Sequence, residues 1–117
     1  MGADQGRARE LGRRGERLAA DYLRHLGYRV VGSGFLARRG EIDLICRRDD
    51  RLVLVEVKTR RSNAFGEPAE AVGARKRRAL NAAAAEYRAL ARWRGPIEFA
   101  VIAIEEGRKP ELIEDPF

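Results

Sequence analysis

Apolar residues recur along this chain with two different periods. From Arg9 to Leu26 they fall at Leu11, Leu18, Ala19, Tyr22, Leu23 and Leu26, with Gly15 on the same face, which predicts an amphipathic helix. Gly27 supplies its left-handed stop. Tyr28–Val31 reads as a short strand closed by Gly32-Ser33-Gly34, and two longer strands are expected over 41–47 and 51–60. A loop over 60–66 leads to Glu67-Pro68, where Pro in the first turn opens a second helix running to about Arg92. Val72, Leu80, Ala83, Ala84, Tyr87 and Leu90 are its inward positions. Gly95-Pro96 ends it, Ile97–Ile104 forms a long apolar strand, and Leu112-Ile113 suits a short edge strand. The order is α-β-β-β-α-β. Strands apolar on both faces are covered on both sides, so the expected fold is α/β: a three-layer α/β/α sandwich around a mixed sheet.

Two of these strands carry charge where a buried strand should carry none. They read Gly40-Glu41-Ile42-Asp43-Leu44-Ile45-Cys46 and Leu52-Val53-Leu54-Val55-Glu56-Val57-Lys58. With Asp49-Asp50 as the hairpin tip, Asp43 stands opposite Glu56, and opposed side chains share a face. Lys58, two residues from Glu56, shares that face too. Ionised groups among apolar neighbours are costly unless paired or holding a metal. The bland reading is a cross-strand ion-pair network in which Glu41 faces Lys58. Against it, two acids directly opposed repel without a cation between them. Two carboxylates suit Mg²⁺ or Mn²⁺, hard ions that leave positions open for a phosphate. A lysine beside them can orient an attacking water or stabilise the transition state. Asp43, Glu56 and Lys58 are therefore the candidate catalytic residues.

Composition narrows the setting. A chain of 117 residues suits a single domain, expected over 9–117 behind a flexible 1–8. The lone Cys46 excludes an internal disulfide and suits a reducing cytoplasm. No apolar run is long enough to span a membrane, and no signal-peptide hydrophobic region is visible. The net charge of +6 favours a polyanionic partner, nucleic acid first. Of the 24 basic residues 21 are Arg, so Lys beside Glu56 stands out as a compact, tunable charge in an arginine-rich chain. Arg60 and Arg61 end the second charged strand, and Arg75, Lys76 and Arg78 crowd the second helix. These five are the expected phosphate contacts, with a solvated helix face as the alternative.

The GEIDLI segment at 40–45 and the VEVKTR segment at 55–60 complete a pattern with Gly15-Glu16, Ala19-Ala20, Gly27-Tyr28, Phe65-Gly66, Val72 and Lys76. On these residues the chain resembles the YraN family of small bacterial proteins, within the PD-(D/E)xK, restriction-endonuclease-like superfamily. The resemblance covers about residues 11 to 104. It implies that Asp43 and Glu56 are metal ligands, that Lys58 is the catalytic lysine, and that Glu16 on the first helix adds to the metal site. Three positions depart from the pattern: Ile42 replaces the proline before the first acid, as is usual in the family, Ser33–Leu36 replaces an Asn-Phe-Arg-like stretch, and Glu98 stands where relatives often have Asp. The expected function is a metal-dependent nuclease acting on DNA, with branched or structured DNA suggested by small resolvases of the superfamily. A homodimer would then be expected. The alternative is a non-catalytic module for nucleic acid or a protein partner that keeps the nuclease fold.

Overall fold

The computed structural model describes residues 2–60, 73–114 and 116, with side chains from Gly12 onward except that of Arg60. Helix α1 spans Gly2–His25, strand β1 Arg29–Leu36, β2 Glu41–Arg48 and β3 Arg51–Arg60. Helix α2 spans Ala74–Ala91, followed by β4 at Ile97–Glu105 and β5 at Glu111–Glu114. The five strands form one sheet in sequence order. β3 pairs antiparallel with β2 and parallel with β4, and α2 lies in the crossover that a parallel pair needs. The sheet is therefore mixed, and β5 adds an antiparallel edge at the expected Leu112-Ile113.

One helix covers each face. Ala19, Ala20 and Leu23 of α1 pack on Leu44, Cys46, Val53, Val55, Ala100 and Ile102. Ala83 and Ala84 of α2 pack on Ile42, Ile45, Leu52 and Leu54, while Leu80 meets Val101. Small alanines at both contacts let the helix backbones approach the sheet closely. Burial pushes the Cys46 thiol up to about 11, so it stays protonated as an apolar core residue.

Three local expectations are corrected. Gly32-Ser33-Gly34 does not close β1, because the strand runs on to Leu36 against β2. A bulge between Val30 and Gly32 takes up one residue, and Gly34 at φ 64° needs the freedom of glycine. Leu90 is not inward but 74% exposed. Helix α2 ends in a left-handed Arg92 (φ 54°), with Trp93 N–H donating to the Arg88 carbonyl, so Trp93 folds onto the core instead. Helix α1 starts at Gly2 rather than Arg9. Apolar periodicity marks where a helix has a core to face, not where its hydrogen bonding begins. The expected helix start at Glu67-Pro68, and Val72, lie outside the described residues.

Candidate active site at the carboxylate end of the sheet

The β2–β3 hairpin sets the geometry. Its ladder runs from Arg48↔Arg51 to Leu44↔Val55, the register expected with Asp49-Asp50 at the tip. Continuing it brings Asp43 opposite Glu56, but there the regular ladder stops. The Val57 N–H donates to Asp43 Oδ2 at 2.8 Å, so a side chain replaces the next backbone partner. Strand alternation also breaks here. Ile42 joins the α2-side core with Ile45, whereas Leu44 and Cys46 face α1. Asp43 sits at that break, one oxygen pinned by the backbone.

Glu56 is the buried charged residue of the core, 8% exposed. Its Oε1 lies 3.8 Å from Lys58 Nζ and 3.2 Å from Lys76 Nζ. Lys76 was expected on a phosphate-binding surface. It reaches the carboxylate instead, because the first turns of α2 pass over the β3 end that carries Glu56. Arg75 and Arg78, one position before and two after it, are exposed. The basic cluster of the second helix is therefore split: one lysine in the site, two arginines on the surface. Arg60 ends β3 with its side chain undescribed, and Arg61 lies outside the described residues.

Glu16 is placed by Gly15. A Cβ on Gly15 would collide with Thr59 Cγ2, so this glycine lets α1 cross close to β3, two residues beyond Val57. Burial raises the Glu16 pKa, and Glu41 raises it further. Asp43 is pushed up to about 6, first by burial and then by Glu56, Glu16 and Glu41, with the Val57 N–H opposing. Four acids and two lysines thus share one end of the sheet. Glu41 was not singled out as a site residue, although its position two before Asp43 on one strand was the available signal. Among the described residues no three His, Cys, Asp or Glu side chains are grouped as a metal site. A two-carboxylate set still fits Mg²⁺ or Mn²⁺, which keep several waters. The Asp43 pKa is raised first by burial and then by Glu56, Glu16 and Glu41, and a bound cation would oppose both effects. Of the departures from the family pattern, Glu98 binds Arg51 at 2.7 Å at the hairpin end, away from these acids.

The Asp43 shift has a consequence for stability. An acid whose pKa is raised in the fold favours folding when protonated. Stability from this group is greatest below its ordinary 3.8, falls as pH rises towards 6, and levels off above. We predict that Asp43→Asn, which keeps an oxygen for Val57, is more thermostable than wild type at pH 7–8 without divalent ions. Thermal melts across pH should show the gain growing between about 4 and 6 and then holding. A gain independent of pH would refute the assignment.

Fold and site together define an α/β protein with a mixed five-stranded sheet between two helices and an Asp–Glu–Lys constellation on its β2–β3 hairpin. The chain belongs to the uncharacterised protein family UPF0102, the YraN family, whose model matches residues 15–104. A UPF0102 protein of Syntrophomonas wolfei is 50% identical over 103 residues, covering 86% of this chain and 90% of its own. One from Thermodesulfovibrio yellowstonii is 40% identical over 108 residues, covering 92% and 96%. One from Rhodococcus jostii is 44% identical over 102 residues, covering 86% of each. Among the described residues no helix is long and apolar enough to cross a membrane.

Proposed function

We propose that this protein is a Mg²⁺- or Mn²⁺-dependent nuclease that hydrolyses phosphodiester bonds in DNA. Branched or structured DNA is the substrate class suggested by the resemblance. The observation that carries the reading is the placement of two acids and a lysine where the β2–β3 ladder ends: Asp43 pinned by the Val57 N–H at 2.8 Å, and buried Glu56 with Lys58 Nζ 3.8 Å from its carboxylate.

Asp43 and Glu56 would hold the ion, and Glu16, which acts electrostatically on Asp43, is the further acid that the resemblance adds to the site. When bound, the ion would supply Lewis acidity towards the scissile phosphate. The Val57 N–H fixes the Asp43 carboxylate before any ligand arrives, which removes an ordering cost at the moment of reaction. Lys58 carries an ammonium beside Glu56 that can orient the attacking water and offset charge building on the phosphoryl oxygens. Lys76 shares Glu56 with Lys58. With Glu56 shared between two lysines, Lys76 would be available to a phosphate oxygen in the loaded site. Arg75 and Arg78, exposed on the same helix, are proposed backbone contacts, as are Arg60 and Arg61. On a four-way substrate two copies of the chain would act together.

A second reading draws on the same pair distances. Two lysines on Glu56 satisfy it without any metal ion, as a binding module lacking catalysis would need. The deciding experiment is a cleavage assay on linear, flapped and four-way DNA with Mg²⁺ or Mn²⁺, beside Asp43→Ala. Cation-dependent cleavage lost in Asp43→Ala supports the nuclease. Retained DNA binding without cleavage on any substrate moves the assignment to the binding module.

A further inference from the structure

The other end of the sheet carries charge that the carboxylate site does not use. In the β1–β2 ladder Arg29 pairs directly with Arg47. Like charges directly opposed in an antiparallel pair destabilise it. Arg48 follows on the same strand, and all three arginines are exposed. Together with Gly27 and Asp49 they line an open concavity of about 550 Å³. None of the three closes a salt bridge among the described residues; the acids acting on Arg48 are Asp49 and Glu114. Two of the guanidinium groups are held by aromatic rings instead. Arg47 lies 5.1 Å from the centroid of Trp93, and Arg48 lies 4.8 Å from that of Tyr28. Arg47 Nε also donates to the Asp49 carbonyl at 3.4 Å, across a turn where Asp49 has φ 55°. Trp93 belongs to the α2-side core and Tyr28 to the α1-side core, so the two forks border the concavity from opposite faces of the sheet end. Stacking orients both forks, and the Asp49 carbonyl also holds Arg47, without neutralising them. That is the preparation an anion site needs.

We propose that Arg29, Arg47 and Arg48 form a second anion site that takes backbone phosphates of a DNA duplex. A duplex is favoured over a small phosphate compound because the concavity is open to solvent. It also offers no free aromatic face for a base: Tyr28 is buried, and the Trp93 and Tyr28 rings already carry arginines. Contacts of this kind position a duplex without reading its sequence. Arg47 pairs with Leu52, four residues from Glu56 along β3, so the site stands about 13 Å along the strand direction from the buried carboxylate. The inference does not rest on the nuclease reading, since no step of it involves Asp43, Glu56 or a metal ion.

Arg29→Glu separates this role from a structural one, because it turns the Arg29–Arg47 repulsion into an attraction. The experiment measures binding of a short labelled duplex by fluorescence anisotropy in EDTA over a range of salt, beside a thermal melt. The expected result is a rise in Tm together with about a tenfold loss of affinity and a salt slope shallower by about one. Arg47→Gln and Arg48→Gln should each flatten the slope further. The same loss should occur in an Asp43→Asn background, which keeps the outcome apart from that of the carboxylate site. Unchanged affinity in Arg29→Glu overturns the proposal. So does a loss of affinity accompanied by a fall in Tm, which would make Arg29 structural. Inorganic phosphate that raises the Tm of wild type but not of Arg29→Glu, with duplex affinity equal in both, would assign the site to a free anion and overturn it as well.

Discussion

Glu56→Gln is expected to abolish Mg²⁺-dependent cleavage, by at least about a thousandfold in rate, or about 4 kcal/mol of transition-state stabilisation. The substitution keeps size and hydrogen-bonding shape but removes the charge that would share an ion with Asp43. Lys58 and Lys76 then lose their common carboxylate, yet each side chain is about a third exposed, at 33% and 36%, so water can solvate them and the fold should persist. DNA affinity should hold or rise slightly, since one negative charge facing phosphate disappears. Lys58→Arg should restore little activity, because a planar fork cannot replace a compact ammonium at a water-positioning site. Equal cation-dependent cleavage by wild type and Glu56→Gln would show that the reaction occurs elsewhere.

Gly15→Ala is expected to be the most damaging small substitution in the fold. The added methyl would occupy the space of Thr59 Cγ2, and α1 would have to lift from β3 or Thr59 leave its rotamer. Overpacking of this kind costs about 1–3 kcal/mol. For a domain of this size that lowers Tm by roughly 5–15 °C. Thr59→Ala removes the colliding atom, so Gly15→Ala/Thr59→Ala should recover most of the loss. A double-mutant cycle on thermal or urea unfolding would read that coupling. An additive double mutant would mean that the close approach is not what Gly15 provides. Because the same crossing sets Glu16 beside Glu41 and Asp43, Gly15→Ala should also weaken any cation-induced rise in Tm.

The hairpin was the most legible part of the chain. Its strands alternate, its tip is a short polar turn, and the register follows from that turn, as the Leu44↔Val55 to Arg48↔Arg51 pairs show. The helix faces were legible where the core was deep, at Ala19, Leu23, Leu80 and Ala83, but not at Leu18, which is 48% exposed within α1, nor where helices end. Leu90 had the right spacing, but a left-handed Arg92 turned Trp93 into that place. Glycine in β1 was misleading for a related reason. Local propensity at Gly32 and Gly34 favours a turn, and the ladder with β2 outweighed it.

Sequence alone determined which chemistry is available: two acids and a lysine on paired strands, an acid on the first helix, and a strong excess of arginine. Such features depend on periods of two and 3.6 residues and on a short turn, which act over neighbouring positions. Only the tertiary structure decided how those groups meet. Lys76 pairs with Glu56 across 20 positions of sequence, because α2 crosses the end of β3. Asp43 takes the Val57 N–H where the ladder stops, and Glu16 arrives through a glycine contact with Thr59. Arg47 and Arg48 settle on rings from Trp93 and Tyr28, in two different connecting segments of the chain. Each of these contacts depends on where a helix or a loop comes to rest against the sheet. That placement is set by the summed burial of both faces, which no local pattern encodes.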